Sequence, residues 1–280
     1  MLLSICIPTY NRCEKVLGTL AFIVNELRDI SPTDYELIVG DNCSTDETCV
    51  KVTDFLQKEG IGKIVRNKEN LGLVGNVINL AYMATGDYLW FMGDDDVYYP
   101  GVVKRIVSEA KKHYPAFLFL NHSAYKERQK DNPKFASAVD LKKPSVYEDG
   151  YKAIVDIWNQ TGTTLMFISS LVFRRAFLIE AMKENKEFNL ASPLYYSFYV
   201  GAKGKTVIIK DVFVDDIIGN ISWKPSMNDI FLRQIPRYLK NLPSYGYPKG
   251  IARGLFFKYL WLRKYWFAKD FVFRIIGKKY

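Results

Sequence analysis

Five short apolar runs, SICIPT, YELIVGDN, KIVRN, DYLWFMG and AFLFLNH, recur through residues 1–125, and the stretches between them carry helical periodicity. A short β-branched run bounded by turn residues reads as a strand buried on both faces. Residues 14–28 put Val16, Leu17, Leu20, Ile23, Val24 and Leu27 on one stripe, which predicts an amphipathic helix. Ser44-Thr45-Asp46-Glu47 has capping-box spacing and predicts a helix reaching about Gln57. Further helices are predicted over 73–85, closed by Gly86, and from Pro100 to about His113. Pro8 is expected to stop the first ladder. Strands alternating with helices at this spacing build an α/β fold, a mostly parallel central sheet flanked by helices.

Ligands of such sheets lie beyond the carboxyl ends of the strands. Those ends carry Thr9 to Arg12, Asp41 with Asn42, Asn67 to Asn70, and Asp94 to Asp96. No GxGxxG follows the first strand and no GxxxxGK[ST] occurs, so neither a dinucleotide fingerprint nor a P-loop is supported. Three adjacent aspartates in a half-buried cleft repel one another without a counter-ion, and their hard oxygens suit Mg²⁺ or Mn²⁺. The alternative is an acidic turn capping the helix at Pro100. Asp41 offers an acceptor for a base imide N–H, with a solvated loop as the plain alternative. Pro8, Thr9, Tyr10 and Arg12 supply a turn, an aromatic face and a cation, which suit a nucleobase and its phosphate.

With 49% hydrophobic and 25% charged residues in 280, the chain can bury a full core, which excludes disorder and fibre. Four cysteines without a CxxC pair, and only two histidines, argue against zinc and disulfide scaffolds and for a reducing compartment. MLLSICIPTYNR lacks a basic n-region, and no uncharged apolar run reaches bilayer length, so a cytoplasmic protein is expected. The net charge of +9 is uneven: from Phe231 onward twelve Lys or Arg face one acidic residue, leaving residues 1–230 at −2. Those basic residues are interleaved with large apolar groups, which argues against a nucleic-acid partner.

SICIPTYNR, LIVGDNCSTDET and NKENLGLVGNVINLAYMATGDYLWFMGDDDVYYP, in that order and spacing, resemble the nucleotide-binding half of family-2 glycosyltransferases with the GT-A fold. The resemblance covers residues 2–105 and fades beyond 125. It implies an inverting transferase that moves a sugar from a nucleoside diphosphate, UDP first, to a hydroxyl of a glycan or lipid-linked glycan, as in surface polysaccharide synthesis. By resemblance, Thr9, Tyr10 and Arg12 fall on the base-contacting loop and Asp41 on the uracil-reading aspartate. Asn70, Gly72 and Asn76 fall on an NxGxxxN-like stretch, and Asp94 and Asp95 on the metal and ribose aspartates. Because Gly93 stands where the family often has an acidic residue, the metal set becomes Asp95 with Asp94 or Asp96.

The family's Glu-Asp pair, whose aspartate is the catalytic base, is replaced by Ser192-Pro193, counting back from Gly204-Lys205. Glu187, Asp215 and Asp216 are the remaining candidates for the base, with Glu180 and Glu184 near the first. A catalytically inactive nucleotide-sugar-binding protein of the same fold is the alternative. Residues 126–230 are expected to form the acceptor half of the domain, with strands from LMFISSLVF and TVIIKDVFV and helices around Ala153 and Ala181. Residues 231–280 are expected to be a basic, aromatic helical extension, ten aromatics and seven Lys or Arg falling in 255–280. Such a helix packs on the domain or a second subunit, as in a homodimer, or lies through 250–280 on the anionic inner face of the cell membrane. The second reading is preferred.

Overall fold

The computed structural model describes residues 1–126, 133–185, 188–218 and 226–275, without the side chains of Lys126, Thr163, Ile218 and 265–275. The chain divides into two units, Met1–Ser222 and Trp223–Tyr280.

In the first unit β1 (Leu3–Thr9) is buried along its length and lies between β2 (Tyr35–Asp41) and β4 (Tyr88–Phe91), parallel to both. β3 (Lys63–Arg66) forms the edge beyond β2. The chain therefore builds outward from β1 to β3 and then returns to add β4 on the other flank of β1. That reversal is a topological switch point, and it opens a crevice at the carboxyl ends of β1 and β4. β1 runs one residue past Pro8, because Pro8 is still paired in register with Gly40 and Thr9 with Asp41.

Beyond β4 the sheet becomes mixed. β8 (Leu171–Arg174) is inserted antiparallel between β4 and β6 (Phe117–Lys126), and β9 (Thr206–Ile218) runs parallel to β6 with a register shift between Leu120 and His122. Two short strands, β5 (Val97–Tyr98) and β7 (Val146–Tyr147), pair antiparallel with β9. Helix α1 (Cys13–Leu27) touches α2 (Thr48–Glu59) and α4 (Val102–His113). A second series, α3 (Gly72–Met83), α6 (Arg175–Glu184), α7 (Ser192–Gly201) and α5 (Gly150–Thr161), makes contact in succession. Val16, Leu20 and Ile23 of α1 and Val103 and Ile106 of α4 share one core with Ile5, Ile7, Val39 and Trp90 of the strands.

Three local expectations change. α2 begins at Thr48, because the Ser44 hydroxyl accepts the Asn11 N–H and the Asp46 carboxylate takes the Thr48 N–H instead. α4 is capped from another helix: the Glu26 carboxylate accepts the N–H groups of Gly101 and Val103, so the aspartate triplet is not its cap. LMFISSLVF contributes only β8, and two 3₁₀ turns (Thr163–Met166, Ile168–Ser170) replace its first half. There Trp90 Nε1 donates to the Ser169 carbonyl, which holds the turn beside the triplet.

In the second unit α8 (Met227–Asp229) continues through a π-helical turn into α9 (Ile235–Lys240), and a 3₁₀ turn precedes α10 (Lys249–Ile275). Ala252, Leu255 and Tyr259 of α10 are buried at helical spacing, and Tyr259 Oη donates to the Phe231 carbonyl at 2.7 Å. Among the described residues no helix is long and apolar enough to cross a membrane.

Candidate functional site

At the switch point the loop after β1 closes onto the loop after β4. Thr9 Oγ1 donates to Asp94 Oδ2 at 2.7 Å, and Arg12 Nη1 bridges Asp94 Oδ1 at 2.7 Å and Asp95 Oδ2 at 2.8 Å. Lys15 Nζ stands 3.7 Å from the same Asp95 oxygen. Asp94 is buried, and its carboxyl is raised from the ordinary range by that burial, opposed by Arg12 and Thr9. Asp96 turns the other way and accepts from Ser169 Oγ at 2.5 Å, while Ser169 Oγ accepts from the Gly93 N–H. Burial first, then the charges of Asp95, Asp216 and Asp94, push the Asp96 carboxyl up to about 8. A Cβ on Gly93 would lie 2.4 Å from Asp96 Oδ2 and 2.9 Å from Ser169 Oγ, so an acidic residue at that position would displace this pair.

Across the adjoining strands Thr9, Asp41 and Arg66 stand directly opposite one another in register. Asp41 has no accessible surface: the Ser44 N–H lies 3.2 and 3.3 Å from its two oxygens, and Arg66 Nε is 3.5 Å from Oδ2. Arg66 Nη2 also donates to the Ser44 carbonyl at 2.8 Å. Tyr10 is exposed above this floor. Asn11 and Cys43 adopt φ of 51° and 65°, the left-handed region that asparagine tolerates best, and Asn11 Oδ1 accepts the Thr45 N–H. The two loops are thereby tied together.

The stretch after β3 is a lattice of amides. Asn42 donates to Asn70 Oδ1 and the Gly72 carbonyl, Asn67 donates to Asn42 and Asn76, and Asn79 donates to Asn67. Asn76 is buried, with Nδ2 on the Gly40 carbonyl at 2.7 Å and Oδ1 taken by Asn67. Its amide is thus committed at both ends to holding α3 against β2. Gly72 has φ of 68°, and its N–H is held by Asn70 Oδ1.

On the other side the pairing of β5 with β9 sets Val97 opposite Asp215, and the next residue, Asp216, adds its charge to Asp96 of the triplet from a distant part of the chain. Asp215 is buried and accepts from Tyr99 Oη and Ser123 Oγ, each at 2.5 Å. Asp216 is held up at about 6 by burial, with Lys134 opposing and Asp95 adding to the shift. Glu187 lies outside the described residues. Ser192, which is buried, and Pro193 start α7 and carry no carboxylate. Glu180 and Glu184 both accept from Tyr199 Oη, and Lys203 holds Glu180.

Among the described residues no three Asp, Glu, His or Cys converge as a preformed cation cage. Mg²⁺ and Mn²⁺ need no such cage, since one or two carboxylates with phosphate and water complete their shell. Asp95, exposed at the mouth, offers one such donor and Asp96 would be a second only on leaving Ser169, and the donor chemistry is hard oxygen throughout. Sequence reasoning passed over Lys15, Arg66, Lys134 and Ser169. Of these Arg66 had a signal, since it ends a strand beside Asp41. Ser169, in the middle of an apolar run, had none.

The switch point, the helices on both sides and the mixed outer strands define a GT-A-type fold. The chain belongs to glycosyl transferase family 2, whose model matches residues 4–179. It is 38% identical over 97 residues to the abequosyltransferase RfbV of Salmonella typhimurium, covering 34% of this chain and 28% of that one. It is 32% identical over 127 residues to the GalNAc(5)-diNAcBac-PP-undecaprenol beta-1,3-glucosyltransferase of Campylobacter jejuni, covering 45% and 39%. The chain thus spans well under half the length of these curated relatives. The structure of Staphylococcus aureus TarS 1-349 in complex with UDP-GlcNAc superposes with a TM-score of 0.69 at 18% identity, over 93% of this chain and 72% of that one.

Proposed function

We propose that this chain is an inverting glycosyltransferase that moves a sugar from a UDP-sugar to a hydroxyl of a glycan or lipid-linked glycan. One observation carries the reading. The β5–β9 pairing brings Asp216, a carboxylate titrating at about 6, alongside the aspartates that face the base-reading loops. An inverting transfer requires one carboxylate to take the proton of the acceptor hydroxyl as it attacks the anomeric carbon, and a base near neutrality serves this best. Asp216 fills that role, whereas the hydrogen bonds of Asp215 make it a support. Arg12 and Lys15 stand where the leaving diphosphate needs cations, and Thr9 with Arg12 fixes Asp94 toward the ribose. Asp95 and Asp96 would hold Mn²⁺ or Mg²⁺, which when bound neutralises charge developing on the diphosphate.

The donor reading is supported by the UDP-GlcNAc held by the TarS structure, and the acceptor reading by the undecaprenol diphosphate in the Campylobacter enzyme's name. Residues 1–125 serve as the donor half and 126–230 as the acceptor half. Ser192-Pro193 favours the inactive binder, and Asp216 supplies the carboxylate which that reading lacks. Incubation with UDP-sugars and undecaprenyl-diphosphate-linked glycans separates the two. Transfer with inverted anomeric configuration is expected, and UDP-sugar binding without transfer or hydrolysis would leave only the binder.

α10 extends the reading to the inner face of the membrane. Among its described residues the exposed ones include Phe257 and Trp261, at 64% and 68%, with Arg253, Lys258 and Lys264, and none of these described exposed residues is acidic. Aromatic rings favour the headgroup level, and each cation adds about 1 kcal/mol on anionic lipid. Phe257→Ser with Trp261→Ser should reduce sedimentation with phosphatidylglycerol vesicles, and unchanged sedimentation would remove this site.

A further inference from the structure

A carboxylate that reads a base must be reachable, and Asp41 is covered. Arg66, paired with it in register, has Nε 3.5 Å from Asp41 Oδ2 and Nη2 on the Ser44 carbonyl at 2.8 Å. The guanidinium is half-exposed on its outer side. It also lines an open cavity of about 450 Å³ with Asn67, Lys68, Asn79 and Tyr82, which gives it room to turn.

Resting on the reading of Asp41 as the acceptor of a base imide, we propose that Arg66 is a specificity-determining residue that reads the carbonyl flanking that imide. Uracil presents a carbonyl, an N–H and a second carbonyl in a row. An arginine N–H beside a carboxylate offers the complement of the first two, a donor next to an acceptor. Cytosine presents an amino group and a bare ring nitrogen at those positions. Arg66 would then face an N–H donor and Asp41 a lone pair, so both contacts become unfavourable. On arrival of the base Nε leaves Asp41 while Nη2 stays on the Ser44 carbonyl, so the guanidinium remains at the mouth of the pocket. A donor bearing uracil or thymine is selected, and one bearing cytosine is rejected.

The test is isothermal titration of UDP and CDP into the full chain, its Arg66→Ala and Arg66→Lys variants, and Asp41→Asn. Wild type should prefer UDP by about a hundredfold. Arg66→Ala should shrink that preference about tenfold, mainly by weakening UDP. Arg66→Lys, which keeps the charge but loses the fork, should fall between and serves if the alanine variant loosens the loop. If UDP binding depends on Asp41 while the UDP-to-CDP ratio is the same in all three Arg66 forms, the role of Arg66 is overturned and the donor reading stands. If wild type shows no preference for UDP and Asp41→Asn changes nothing, both fall together.

Discussion

Along β1, β2, β3 and β4 the polar groups of the cleft come from residues at or just past the end of a strand, whereas on the opposite side they come from the middle of a strand pair. Thr9, Asp41 and Asp94 each follow an apolar run within a few residues, and parallel pairing in register lines them up. Asp216 is over a hundred residues from the triplet and comes beside it where β5, two residues long, pairs with β9. The first side is assembled by local sequence and repeated topology, the second by one long-range pairing. The candidate binding groups therefore sit within the stretch that the family model matches, and the proposed base lies beyond it.

The sharpest way to break that division is Asp216→Asn. If Asp216 is the base, transfer should fall by about 10² to 10⁴ while UDP affinity is kept, read by single-turnover kinetics beside titration. A loss of UDP affinity instead would assign Asp216 to the donor side. Asp95→Ala should cost about 10² to 10³ in turnover, and added Mn²⁺ should not restore it. Full activity in excess chelator would remove the metal from the reading.

A third test concerns stability on the acceptor side. His122, buried against Phe135 and Phe167, is pushed down to about 4, chiefly by burial. Its neutral ring donates from Nδ1 to the Ser123 carbonyl and accepts at Nε2 from Thr164. The folded value lies below the unfolded 6.5, so the unfolded chain binds the proton first. Stability should fall by roughly 3 kcal/mol as pH drops from about 6.5 to about 4. Urea unfolding of wild type and His122→Gln across that window measures it, and an equal acid slope in both would acquit His122. The smallest effect is on the donor side: Asn76→Ala leaves the Gly40 carbonyl and an Asn67 amide without their partner and should cost about 1 to 3 kcal/mol, read as a lowered Tm.

The four parallel strands and their helices were legible because each carries its own period and its own stop signal. The placement of the candidate binding residues at strand ends followed, since the rule of carboxyl ends needs only strand order. Asn76 was legible as a candidate for the site but not as a structural amide, because sequence spacing cannot tell whether a side chain faces a ligand or the neighbouring Gly40 carbonyl. The capping-box reading of Ser44 failed for a related reason. Its hydroxyl was claimed by Asn11, thirty-three residues away. β5 was not legible at all: two residues have no period, and their pairing is decided by β9.

Arg12 holds Asp94 and Asp95 before any donor arrives, so the cleft already contains its own counter-ion. On the proposed function, a diphosphate entering there would not meet a bare cation. It would share the guanidinium with Asp94 and Asp95, whose carboxylates already offset that charge. The net charge neutralised on binding is small, and donor affinity should respond only weakly to ionic strength, unlike a contact between α10 and an anionic lipid surface, which gains its attraction from charges that were apart.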